Sequence, residues 1–298
     1  MMHPFYPYHL LKGLLLAGLL FFQQNALADI KVSTAWLENH LNDTNLILVD
    51  MADDLQYQRF HLPGALHLPY RAINTTDRFG VSYSPGADHL IKVLGLLGMS
   101  PDSQIVIYDD LGGLNASRLY WELEALGHQR IALLDGGLVK WVLEGRKVSN
   151  KIVPASKTSY SLTHTKERTN LATLAEITRL PADATLLDVR TQEEYAGDPR
   201  QPRTGHIPGA RWWPWDSSVD FNDGFRLKSV VELQRQLLAL GVTNPASPVY
   251  LYCRTGHRAS QSYYVLRQLG YHKVKIYDGS IAEYSRYKEL PLKTGMQP

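Results

Sequence analysis

The second half of this chain repeats the first in register. Ala116-Ser117 recurs as Ala259-Ser260, Leu126-Gly127 as Leu269-Gly270, and Leu134-Asp135-Gly136-Gly137 as Tyr277-Asp278-Gly279-Ser280, each pair 143 positions apart. Upstream, His61-Leu62-Pro63-Gly64-Ala65 answers to His206-Ile207-Pro208-Gly209-Ala210. Gln104-Ile105-Val106-Ile107-Tyr108 answers to Pro248-Val249-Tyr250-Leu251-Tyr252, and Leu46–Asp50 to Ala184–Asp188. With a length of 298 residues, the repeat points to two domains of one architecture.

Each copy alternates short apolar strands with amphipathic helices. The pattern predicts strands near Leu46–Val49, Gln104–Tyr108 and Arg130–Leu134, with helices near Thr34–Leu41, Asp88–Leu97, Asn115–Leu126 and Leu138–Glu144. In the second copy it predicts strands near Thr185–Leu187, Val249–Tyr252 and Lys273–Tyr277. Helices are predicted there near Leu171–Arg179, Ser229–Leu240, Ala259–Leu269 and Ile281–Tyr287. This alternation implies the α/β class, with a mostly parallel sheet in each domain flanked by helices on both faces. Ligands of such sheets bind outside the carboxyl ends of the strands.

The expected organisation is a leader over 1–28, domains over 29–147 and 169–298, and a connection over 148–168 that lies as a strap across the surface. The leader has one charge, Lys12, an apolar run Leu14–Phe22, and small residues in Ala26-Leu27-Ala28 ahead of Asp29. It reads as a cleavable export signal, giving a periplasmic protein with no membrane association after cleavage. The net charge of +2 is too small and too evenly spread to argue for nucleic acid as a partner.

Cys253 is the sole cysteine. It opens the loop Cys253-Arg254-Thr255-Gly256-His257-Arg258 between a buried strand and a helix. Loop amides, the helix N-terminus, Arg254 and Arg258 all favour the thiolate. One thiol without a CxxC partner or spaced histidines cannot fill a metal coordination sphere, so neither metal nor cofactor is expected. An unpaired cysteine in an exported protein calls for a reason, and nucleophilic chemistry supplies one. The reading requires a thiol that solvent can reach, not one sealed in apolar packing.

In the first copy, Tyr108-Asp109 stands where Tyr252-Cys253 stands in the second, so that copy has no nucleophile and serves as a partner wall. His61 and His206 are shared by both copies and read as fold, as do Asp50 and Asp188, the latter supporting the loop. Asp135 and Asp278 are expected to cap helices. Arg190 has no counterpart, since Ala52 occupies its place; a role beside the active loop and a structural ion pair weigh about equally. Trp212, Trp213 and Trp215 could line a cleft or pack the core.

These residues together resemble a tandem-domain rhodanese. The resemblance spans Asp29 to Pro298 and rests on Asp188-Val189-Arg190, Glu193-Glu194-Tyr195, Gly205–Ala210, the Cys253–Arg258 loop and Asp278-Gly279. It implies a thiosulfate sulfurtransferase acting as a monomer. Cys253 would take the outer sulfur of thiosulfate as a persulfide, release sulfite, and pass the sulfur to a thiophilic acceptor such as cyanide, a thiol or a protein. Arg254, Thr255, Gly256, His257 and Arg258 would bind the substrate, with Asp188 and Arg190 in support. Alternatives are 3-mercaptopyruvate as donor, or a persulfide carrier serving a partner protein. Glu194 stands where tandem relatives often carry an arginine, which weakens the mercaptopyruvate reading. A related phosphatase loop would place its arginine six residues after the cysteine, where Ala259 lies; Arg258 comes five after.

Overall fold

The computed structural model describes Met1, residues 30–161 and residues 168–298. The expected leader therefore lies outside the described residues apart from Met1, as do residues 162–167 of the expected connection. The first domain contains β1 (Lys31–Val32), α1 (Thr34–His40), β2 (Leu46–Asp50), α2 (Asp54–Arg59), β3 (Leu66–His67), β4 (Thr75–Thr76), β5 (Ser82–Tyr83), α3 (Ala87–Leu96), β6 (Gln104–Tyr108), α4 (Ala116–Ala125), β7 (Ile131–Leu134) and α5 (Gly137–Leu143). The second contains β8 (Leu171–Ala172), α6 (Leu174–Ile177), β9 (Thr185–Asp188), α7 (Gln192–Ala196), β10 (Arg211–Trp212), β11 (Val219–Asp220), β12 (Arg226–Leu227), α8 (Val230–Ala239), β13 (Val249–Tyr252), α9 (His257–Gln268), β14 (Val274–Tyr277) and α10 (Ser280–Tyr284).

Both five-stranded sheets are parallel and share one order, β1-β7-β6-β2-β3 and β8-β14-β13-β9-β10. The central strands β6 and β13 are nearly continuous apolar runs because helices cover both faces of each sheet. One expectation fails at Leu171–Arg179. The segment splits into β8, paired with β14, and a single helical turn, because Thr173 forms a capping box with Glu176 and starts the helix only there. The edge strands and the hairpins β4–β5 and β11–β12 are two residues per strand, too short to carry a period.

After α5 the chain runs back along the first domain. Ser149 pairs with His61, the Thr158 amide donates to Gly95, and the buried Tyr160 hydroxyl meets His128 Nδ1 at 2.8 Å. His61 and His206 are fully buried, each stacked on a tyrosine, Tyr57 or Tyr195, with ring centroids 3.9 Å apart.

The two domains meet through α4 and α9, with Tyr120 set edge-on to Tyr264. Each hairpin reaches across to the other domain. The Ser84 amide donates to Asp278 Oδ2 at 2.6 Å, and the Leu227 amide to Asp135 Oδ1 at 3.4 Å. Asp135 and Asp278 therefore bind across the interface and do not cap helices. α5 and α10 begin after Gly136 and Gly279, which offer no side chain. Asp135 pairs with Lys31 and Arg226, while Asp278 accepts two bonds from Arg118.

The copies differ at one buried carboxylate. Asp188 is neutralised by Arg190 through bonds of 2.5 to 3.1 Å, whereas Asp50 faces Ala52 and no cation pairs with it; its Oδ2 has no partner in hydrogen-bonding geometry, although the Tyr108 hydroxyl lies near. Burial pushes the Asp50 carboxyl up to about 6. Its folded value lies above the ordinary one, so ionisation costs stability: the penalty is absent at pH 3, grows through pH 4 to 6, and is complete above that. Asp50→Asn should therefore stabilise the protein at pH 8 by up to roughly 3 kcal/mol and leave it unchanged near pH 3. Urea unfolding at the two pH values measures this, and equal differences at both would refute it.

Candidate active site

The site is built on the carboxyl end of β13. Tyr252 closes the strand, and its hydroxyl accepts from the Ile207 amide at 3.1 Å. Cys253 follows, and the chain turns through Gly256, whose φ of 77° suits glycine. A Cβ at Gly256 would collide with Asp278 Oδ1 and come within 3.1 Å of Arg118. Helix α9 starts at His257, two residues earlier than expected, so His257 and Arg258 belong to its first turn.

Ser280 fixes this turn from beneath. Its hydroxyl accepts from the amides of Cys253 (3.1 Å) and Gly256 (3.0 Å) and donates to the Tyr277 carbonyl. It does so at a φ of 52°, a left-handed conformation that its counterpart Gly137 adopts at 51°. A non-glycine residue held there costs on the order of 1–3 kcal/mol. Ser280 carries no motif of its own. The signal was a serine replacing glycine only in the copy that holds the thiol.

Cys253 is only 1% exposed. It is thus not the open thiol the sequence suggested, although its surroundings are mixed rather than sealed in hydrocarbon. Apolar residues of β13 and α9 pack behind it, while Arg258 acts electrostatically on it and Ser280 holds its amide.

The loop residues divide by role. Arg258 makes a two-point ion pair with Glu194, at 2.6 and 2.9 Å. Burial works against its charge, but Glu194 and Cys253 outweigh burial and raise its pKa. Glu194 is held in place as the third residue of α7 by a capping box with Thr191, and its carboxyl sits near 2, the Arg258 guanidinium overcoming partial burial. Arg254 is exposed, and among the described residues no carboxylate pairs with it. Thr255 is half-buried beside it.

His257 does not serve as a cation. Burial, with Arg118 and Arg258 nearby, drives its pKa down to about 3. Its Nε2 bonds Asn115 Oδ1 at 2.8 Å, and its ring lies 4.0 Å from that of Tyr70. Asn115, Tyr70 and Arg118 all come from the first domain, and sequence reasoning assigned none of them to the site. Arg190 likewise points away from the sulfur. It is buried against Asp188 and the Gly205 carbonyl, the two charges forming an ion pair. Trp213 packs in the core, Trp212 donates to the Arg190 carbonyl, and Trp215 meets Phe221 edge-on.

The counterpart loop of the first domain, one residue longer, holds a carboxylate at the same place. The buried Asp109 carboxylate accepts from the amides of Leu111, Gly113, Asn115 and Ala116 at 2.7 to 2.9 Å. The first copy carries a built-in anion in a cradle of main-chain donors.

A Rhodanese-like domain model matches residues 33–144 and again 173–287. A putative thiosulfate sulfurtransferase of Mycobacterium leprae is 32% identical over 281 residues, covering 91% of this chain and 99% of that protein. The thiosulfate sulfurtransferase of Azotobacter vinelandii is 30% identical over 263 residues, 88% and 96% of the two chains. A sulfur carrier protein, TtuD, of Thermus thermophilus is 31% identical over 284 residues, 90% and 97%. Among solved structures, that of YnjE superposes with a TM-score of 0.80 at 22% identity over 90% of this chain and 69% of that one, a likeness of fold.

Removing the built-in anion should be costly, because four amides, two of them in buried bonds, lose their acceptor together. Asp109→Ala is expected to lower stability by at least roughly 3 kcal/mol in chemical denaturation. A loss below about 1 kcal/mol would mean that the amides find water instead.

Proposed function

From the premise that this chain belongs to the rhodanese family in both of its halves, we propose that it is a sulfurtransferase in which Cys253 takes the outer sulfur of thiosulfate. The Cys253 thiolate attacks that sulfur, the new S–S bond forms, and the old one breaks with its electron pair leaving on sulfite. A persulfide anion remains on Cys253. A thiophilic acceptor then attacks the outer sulfur and regenerates the thiolate. Charge is conserved in both steps, and no cofactor is needed.

One observation carries this reading. The Cys253 loop occupies the same position in its domain as the loop that wraps the Asp109 carboxylate in amides. A loop at that place, ahead of a helix N-terminus, favours an anion, and a persulfide is such an anion. Helix α9 adds its N-terminus, with no side chain capping it. Arg258 adds a cation that acts electrostatically on the sulfur. Arg254, exposed and unpaired, marks the side from which a dianion would be drawn in.

Glu194 sets a limit on that attraction. By pairing with Arg258 it cancels much of the positive charge beside the sulfur, leaving Arg254 as the principal unbalanced cation of the loop. His257, being neutral, contributes no charge at physiological pH. The rate of persulfide formation should accordingly show no histidine inflection between pH 5 and 8.

Treatment with thiosulfate should raise the intact mass by one sulfur atom, and Cys253→Ser should abolish the change. Stopped-flow measurement of the same step should show Arg254→Ala and Arg258→Ala each slowed about three- to tenfold. Glu194→Gln keeps the capping box and frees Arg258, so it should react about three- to tenfold faster. A parental protein that gains no sulfur overturns the donor assignment. A slower Glu194→Gln variant would show that the carboxylate is needed to aim Arg258.

A further inference from the structure

The first domain contributes more than a wall to the site. Tyr70 opens the short helical turn Tyr70–Ile73, its entry fixed by Pro69. Its ring lies against His257, which is itself tied to Asn115, and Asn115 donates to the Met51 carbonyl at 2.9 Å. The ring is thus clamped to the first turn of α9 from the opposite domain. Its hydroxyl is buried yet, among the described residues, has no partner in hydrogen-bonding geometry, the nearby Asn74 side chain included. A buried hydroxyl without a partner costs on the order of 1–3 kcal/mol. Such a group is retained where a ligand completes it.

The neighbours indicate what that ligand is. Arg118, Asp278 and Cys253 all act electrostatically on the Tyr70 hydroxyl. Asp278 takes two donor groups of Arg118, Nη1 and Nη2, and its carboxylate also accepts from Ser84. Arg118 Nε lies 3.2 Å from Glu122 Oε1. Arg118 is therefore committed to carboxylates, and Tyr70 is the uncommitted donor in this quarter of the site. Burial keeps the phenol protonated, so it remains able to donate.

We propose that the Tyr70 hydroxyl donates a hydrogen bond to a sulfonate oxygen of the sulfur donor and holds it as the S–S bond breaks. The assignment rests on the thiosulfate reading above. In that step Cys253 gains the outer sulfur and the departing sulfite gains an electron pair. A donor aimed at its oxygens is worth more in the transition state than in the bound substrate. The donor class singled out is therefore a sulfane sulfur attached to an oxyanion group, rather than a bare polysulfide.

The full chain carrying Tyr70→Phe keeps the ring against His257 and loses only the hydroxyl. In single-turnover persulfide formation it should react with thiosulfate roughly ten- to a hundredfold slower than the parent. With inorganic polysulfide, which has no oxygen to hold, the difference should be less than about twofold by the same reasoning. An unchanged thiosulfate rate overturns the assignment. Equal losses with both donors also overturn it, since the hydroxyl would then act on the loop and not on the donor. A parental protein that accepts sulfur from polysulfide but not thiosulfate removes the thiosulfate reading and this assignment together, which separates the two failures.

Discussion

The Arg118 guanidinium, buried completely between Asp278 and Glu122, fixes how the two domains face each other. Arg168 pairs with Glu122 at 2.9 Å and bonds Ser84, closing a network of two cations and two carboxylates. Burial alone would favour the neutral forms, and it does push Glu122 upward against the pull of both arginines. Arg118 nonetheless stays charged, because Asp278 and Glu122 outweigh burial. Such networks add little net stability compared with apolar packing, but an incomplete one is severely penalised. The pairing of Arg118 with Asp278 and of Arg168 with Glu122 ties the docking of the domains to these charges. Since Gly256 has room for nothing larger than hydrogen beside this pair, that docking also fixes the shape of the Cys253 loop.

Against so close a repeat, the departures carry the information. Asp109 faces Cys253 across the alignment, Gly137 faces Ser280, and Ala52 faces Arg190. The first copy fills its own amide cradle with a carboxylate. The second leaves its cradle to a thiol and holds Ser280 in a left-handed conformation to bind two loop amides. Asp188 is balanced by an arginine at the same depth where Asp50 is not. The domain with the cysteine has the satisfied buried charge. The domain without it bears a cost near its own core and instead donates Tyr70, Asn115 and Arg118 to its neighbour.

The architecture was legible because the repeat and the strand–helix alternation say the same thing at two scales. β6 and β13 are runs of apolar residues buried on both faces, and each long helix begins and ends within two residues of its expected bounds. The edge strands β1, β8, β3 and β10 were not legible, since two residues have no period and are defined by their partners. The same distinction holds in the site. Cys253 and its loop are contiguous in sequence and could be read directly. The pairing of Arg258 with Glu194 spans 64 positions, that of Arg118 with Asp278 spans 160, and the stack of Tyr70 on His257 joins two domains. Asp278 shows the resulting error. A carboxylate ahead of a helix resembles a cap by local rules, and only the docked partner domain reveals its use.

The burial of Cys253 bears on the same division of labour. A thiol beside a basic loop in open water would share its cations with the solvent and with salt. At 1% exposure, amides and guanidinium act on the sulfur through a medium that screens them far less. The Arg118 network holds the other domain against this loop, and Arg254 is the exposed cation of the loop. Tyr70, Asn115 and Arg118 of the first copy flank the Cys253 loop of the second, a physical reason for the two copies to remain in one chain.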